Sequence, residues 1–137
     1  MKGTLFINGK DAYERWGVIL GDGSLNSLLL PPPAKAFVEN TSRVLHGKQV
    51  MEAPQFLDAR DVSLIFYIRA GNQEDFGHKL SQLVEEFQKG IIKLRTRFEP
   101  NKTYRLLYKS AAQLTQVRGE LGKITVKFNE PNPNIRS

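Results

Sequence analysis

Residues 61–70 read DVSLIFYIRA. Val62, Leu64, Phe66 and Ile68 recur every second position, the period that places side chains on one face of a β-strand. Ile65 and Tyr67 make the second face apolar as well, which predicts a central strand covered on both sides. Gly71-Asn72 breaks the run. Residues 73–89 then change period: Phe76, Leu80, Leu83, Val84 and Phe87 fall at the spacing of one buried helical stripe. Glu74 and Asp75 near its start and Lys89 near its end suit the helix dipole, and Gly90 supplies a stop.

Three strands are expected after the helix. In 91–98, Ile92, Leu94, Thr96 and Phe98 alternate with Lys93, Arg95 and Arg97. In 104–110, Tyr104, Leu106 and Tyr108 alternate with Arg105, Leu107 and Lys109. In 122–128, Ile124, Val126 and Phe128 alternate with Lys123, Thr125 and Lys127. Alternation of this kind describes a sheet with one face buried and one face wet. Before residue 61, a short strand over 4–7 closes on Asn8-Gly9, a pair that tolerates positive φ in a tight turn. Residues 13–20 read as a second extended segment ending in Gly21-Asp22-Gly23-Ser24. Strands, one helix and more strands predict an α+β domain, with an antiparallel or mixed sheet and one amphipathic helix packed on it.

Pro31-Pro32-Pro33 excludes helix and interior strand, and no clean period follows as far as Pro54. A connection that long without structure of its own is uncommon in a compact domain and usually functional. Residues 31–56 are therefore expected to form a long protruding loop of a single domain spanning 1–137, and residues 130–137, rich in Asn and Pro, an irregular tail.

A composition of 40% hydrophobic and 25% charged residues is that of an ordinary globular chain. With no cysteine, disulfides and thiolate metal sites are excluded. The first residues lack the apolar stretch of a secretory signal, and no run approaches the roughly 20 apolar residues of a membrane span. Without such a signal, the sequon Asn40-Thr41-Ser42 reads as chance. The net charge of +6 is uneven: residues 1–70 hold 8 Lys and Arg against 7 acids, residues 71–137 hold 12 against 7. A basic half invites either nucleic acid or a complementary protein surface.

Catalytic chemistry finds little to work with. His46 and His78 lack a neighbouring nucleophile or a second ligand, so a surface role is expected of His78. Asp58 and Asp61 flank Arg60, where turn bonding or a salt bridge explains them better than acid–base work. Gly17, Gly21 and Gly23 lack the GK[ST] ending of a phosphate loop and read as turns. No catalytic residue, metal or cofactor is expected.

The cations Lys93, Arg95, Arg97, Arg105, Lys109, Lys123 and Lys127 share the wet phase of the last three strands and form one positive surface if those strands are neighbours. Phosphate contact would suit such a surface. Single-strand binders add exposed aromatics, whereas Phe98, Tyr104, Tyr108 and Phe128 fall on the buried phase. A solvated face or a subunit contact is the better expectation, with nucleic acid the alternative.

Four stretches together resemble the tail-tube and distal-tail superfamily of long-tailed phages, in the form found in prophages of the gut Bacteroides group: FINGKDAYERWGVIL (6–20), VENTSRVLHGKQV (38–50), DARDVSLIFYIRA (58–70) and LGKITVKFNEPNPNIR (121–136). A helix and YRLLYKS (104–110) lie between the last two in the expected order. The resemblance implies a small β-sandwich or split barrel with one flanking helix, and a long loop reaching the next subunit through residues such as Lys35, Phe37, Arg43, His46 and Lys48. It implies a mechanical role in the tail tube or baseplate, in rings that are commonly hexamers, with other tail proteins as partners. The place of action would be the virion, after assembly in the bacterial cytoplasm. A head–tail connector or tail terminator is the related alternative. A basic face lining a DNA-conducting lumen would depart from the superfamily's acidic or neutral channels.

Overall fold

The computed structural model describes residues 2–34, 57–118 and 120–136. Along the chain they form β1 (Leu5–Ile7), β2 (Lys10–Asp11), α1 (Ala12–Trp16), β3 (Val18–Leu20), α2 (Ser24–Leu29), β4 (Arg60–Arg69), α3 (Gln73–Phe87), β5 (Ile91–Thr96), β6 (Tyr104–Arg118) and β7 (Leu121–Glu130). The strands make one seven-stranded sheet in the order β2-β1-β5-β6-β7-β4-β3. Every pairing in it is antiparallel.

The two ends of that sheet are joined by very little chain. β2 and β3 lie at opposite edges, yet only residues 12–17 separate them, five of which are α1. A flat sheet of this width would put its outer strands about 29 Å apart, whereas five helical residues advance only about 8 Å. The sheet therefore curls until its edges approach, and since β2 and β3 do not pair, it is an open, split barrel. The expected α+β class with a helix packed on a small split barrel is what the chain forms.

The buried phase of each strand faces inward. Val62, Leu64, Phe66 and Ile68 of β4 meet Ile124, Val126 and Phe128 of β7, with Ile92, Leu94, Tyr104 and Leu106 continuing the core. On this face α3 buries Phe76, Leu83 and Phe87, with Leu80 packed alongside. The Phe87 ring meets Phe128 edge-on at 5.2 Å, lies 5.6 Å from Phe66 and stacks on Tyr108 at 6.2 Å. Gly122 makes room for the other end of the helix, because a Cβ there would fall 2.2 Å from the Phe76 ring. At the start of α3 the Asn72 side chain accepts from Asp75 N at 2.8 Å, the usual N-cap bond.

Several local expectations change. The segment 13–20 is not extended throughout: Asp11 accepts from Tyr13 N and Glu14 N, and Gly17 in the left-handed region closes the turn. These two caps make a short helix of 12–16, with Trp16 buried, before β3 begins. Leu25–Leu29 also belongs to a helix, α2, so among the described residues three helices accompany the sheet. β4 is one strand in from the edge, and its second face is half-buried at Ile65 and Tyr67 rather than fully covered. β5 stops at Thr96, so the alternation does not carry Phe98 inward; it is 58% exposed. β6 runs eight residues past the expected Ser110, to Arg118. The Asn8-Gly9 turn is as read: Ile7 pairs with Lys10, and both loop residues have positive φ, 54° and 79°.

Candidate assembly interface

The far half of β6 has a neighbour on one side only. β5 pairs with β6 from Leu94↔Tyr104 to Ile91↔Leu107, and β7 pairs with it from Leu107 to Arg118. From Tyr108 onward, among the described residues, one edge of β6 is therefore unpaired. Residues 109–116 are exposed, and three register shifts interrupt their pairing with β7. Bulges of this kind blunt an open edge without closing it. Leu114 stands opposite the buried Ile124 yet is 51% exposed. The signal in the sequence was faint. Thr115 and Val117 favour strand and Gly119 marks a turn, but a strand wet on both faces shows no apolar alternation.

The cations of the outer face lie on adjacent strands, β5, β6 and β7. Lys93 sits directly opposite Arg105. Arg95 stacks over the Phe6 ring of β1 at 4.6 Å, and Arg105 Nη1 donates to the Ile135 carbonyl at 3.4 Å. Lys127 lies between Ser63 and Ser110, and Lys123 between Tyr67 and Thr115. Lys109, at a register shift, reaches across to Asp61 at 3.1 Å. Hydrogen bonds from Asn129 and Lys109 hold that carboxyl below the usual range. Arg97 falls beyond β5, in the turn beside Phe98, with its guanidinium 5.3 Å from that ring. A cross-strand row of Ile91, Leu107, Asn129 and Asp61 separates the Lys93–Arg105 pair from Lys127. The surface is thus two basic groups divided by an apolar pair and an acid.

The expected loop contacts Lys35, Phe37, Arg43, His46 and Lys48 lie outside the described residues. Their point of attachment does not. Ala34 and Leu57 form an antiparallel bridge, Asp58 N donates to Pro33 O at 2.7 Å, and Asn134 bonds both the N–H and the C=O of Leu57. Segment 35–56 thus leaves and returns at one place. Beside it, Glu130 accepts from Arg60 Nε at 2.7 Å and from Arg136 Nε and Nη2 at 2.9 and 2.8 Å. The other Arg60 nitrogens cap α2, donating to the carbonyls of Ser27, Leu28 and Leu30. Arg136 also lies over the Tyr104 ring at 4.8 Å. Arg60 thus pairs with neither flanking acid, since Asp58 bonds Ala59 N and Asp61 bonds Lys109.

Near the end of α3, burial pushes the Glu86 carboxyl up. Hydrogen bonds from Asn8 at 2.6 Å, Lys89 at 3.1 Å and Lys10 at 3.3 Å outweigh that effect and hold it below its ordinary value. Glu86 ties α3 to the β1–β2 turn. His78 is exposed on α3, while the neighbouring Asp75 accepts from Gly71 N and lies 3.4 Å from Lys79 Nζ. Among the described residues no three His, Asp or Glu side chains converge on a point where a metal ion could sit. Gly17 and Gly21 serve close backbone approach, since a Cβ on Gly21 would strike Ile65 and one on Gly17 the Arg69 carbonyl, whereas Gly23 has open space around it and a positive φ of 82°. No helix of the described residues is long and apolar enough to cross a membrane.

No protein-family model matches this sequence, and no curated protein matches it significantly. Among solved structures, the fold is similar to that of the Dit protein of phage SPP1, described as a paradigm of the hub adsorption apparatus in phages infecting Gram-positive bacteria. The TM-score is 0.55 at 14% sequence identity, over 95% of this chain and 50% of that one. The chain thus spans half the length of that hub protein, and at this identity the two share a fold.

Proposed function

We propose that this chain is a structural subunit of a phage tail or baseplate that acts by assembling into a ring with copies of itself. The observation that carries the reading is the edge of β6 beyond Leu107, unpaired among the described residues, on a fold similar to that of a phage hub protein. An exposed strand edge is a liability that assembly removes, and a head-to-tail contact closes into a ring when its rotation allows. Six copies, a prophage origin and a place in the virion follow from the superfamily resemblance. Segment 35–56, with Lys35, Phe37, Arg43, His46 and Lys48, would reach the neighbouring subunit or another tail protein from the Ala34–Leu57 base. The basic groups of the outer face are read as subunit or partner contacts. Sedimentation velocity and negative-stain electron microscopy of the purified chain over a concentration series test the reading. Discrete closed particles support it, and a monomer throughout contradicts it.

One observation favours nucleic acid as a second reading. Lys93, Arg105, Lys123 and Lys127 stand on three adjacent strands of the sheet, a grouping of cations that suits phosphate contact. Titration with single- and double-stranded DNA at low and moderate salt decides it, because phosphate contacts weaken steeply with salt.

A further inference from the structure

We propose, resting on the ring reading above, that successive copies join by a knob entering a hole. The distal end of β6 around Leu114 of one copy seats in the apolar cavity at the barrel seam of the next.

The hole lies where the two ends of the curled sheet approach without pairing. It is a mainly apolar cavity of about 370 Å³, bounded by Leu20 and Leu25 on the β3 side and by Thr4, Thr96 and Phe98 on the β1–β5 side, with the cations Lys2 and Arg97 also in its lining. Phe98 lines it while remaining 58% exposed. Leu29, one turn along α2 from Leu25, is 46% exposed and extends the apolar surface. Thr96 adds a polar requirement. It is 2% exposed, and its Oγ1 has no hydrogen-bond partner among the described residues. A buried hydroxyl left in that state is costly, and a turn of the Thr96 side chain toward the cavity would let the backbone of an entering strand supply what it lacks.

The knob has the matching chemistry. Leu114 is a half-exposed apolar side chain on a strand whose outward N–H and C=O groups are free of sheet partners among the described residues. Sheet order sets the geometry. β6 is the fourth of seven strands, with β2, β1 and β5 on one side and β7, β4 and β3 on the other. In a sheet curled until β2 and β3 approach, β6 stands across the barrel from the seam. Knob and hole therefore lie on opposite sides of one subunit, as a heterologous head-to-tail contact requires, whereas a two-fold contact would bring like patches together.

The chain has no cysteine, so engineered thiols report without background. Leu114→Cys and Phe98→Cys are made on separate chains, both at exposed positions, and treated with a short bismaleimide alone and as a mixture. The expected result is a covalent dimer in the mixture and none with either chain alone. A chain carrying both substitutions should give a ladder that stops at the ring size. Cross-linking of L114C with itself alone would overturn the proposal in favour of a two-fold contact. Closed particles by sedimentation, with no L114C–F98C product, would overturn the proposal and leave the ring reading standing. Absence of particles at every concentration would remove both.

Discussion

The Arg60 guanidinium lies 2.7 Å from the Glu130 carboxylate, with side chains only 8% and 0% exposed. Arg136 holds the other Glu130 oxygen, so one acid joins the start of β4, the end of β7 and the final residues of the chain. Removing one member of a buried charged set leaves the rest uncompensated, at a cost of about 3–5 kcal/mol. Glu130→Ala should lower stability by that amount in urea unfolding and release residues 131–136 to proteolysis. Arg60→Met should also uncap α2, visible as faster amide exchange over residues 24–30.

A pH dependence follows from Glu86. Its folded pKa is below its ordinary value of 4.5, so between the two values the unfolded chain binds more protons than the folded one. The contribution is fully present above 4.5 and is lost as pH falls through the folded value. Thermal melts of wild type and Glu86→Gln should therefore differ most at neutral pH and converge under acid. A difference that grows as pH falls would contradict this.

Gly122 is required for volume. Its missing Cβ is the space occupied by the Phe76 ring, and overpacking a filled core costs about 1–3 kcal/mol. Gly122→Ala should destabilise within that range, and the double variant with Phe76→Leu should recover part of the loss. The urea midpoints of the two variants check this.

Lys93 stands directly opposite Arg105 on the neighbouring strand. Lys93→Glu places an acid there, making a cross-strand pair worth about 0.2–1 kcal/mol, and should raise Tm slightly at low salt with the gain shrinking at high salt. The same variant should weaken any DNA binding by this face.

The sequence revealed the fold wherever one face of an element is buried. β4, β7 and α3 carry their apolar period because each presents one side to the Phe66–Phe87–Phe128 core. α1 escaped because five residues are too few to show a helical period; only its caps, Asp11 and Gly17, announce it. Phe98 was misplaced because alternation carries no mark of where a strand stops. The candidate interface was legible only in part. The cations stood out by spacing, but the open edge of β6 depends on β5 beginning only at Ile91, a tertiary fact with no local signature. The Arg60–Glu130 pair spans 70 positions of sequence and shows itself only when β4 and β7 align.

The most direct test of the account is hydrogen–deuterium exchange of the amides of residues 109–116, measured on the same preparation from dilution to high concentration. If the open edge of β6 is where copies meet, these amides exchange fast in the dilute chain and become protected together as closed particles form, while the core amides of β4 stay unchanged. Fast exchange at 109–116 in samples that already sediment as closed particles would contradict the central claim, and so would a chain that stays monomeric at every concentration.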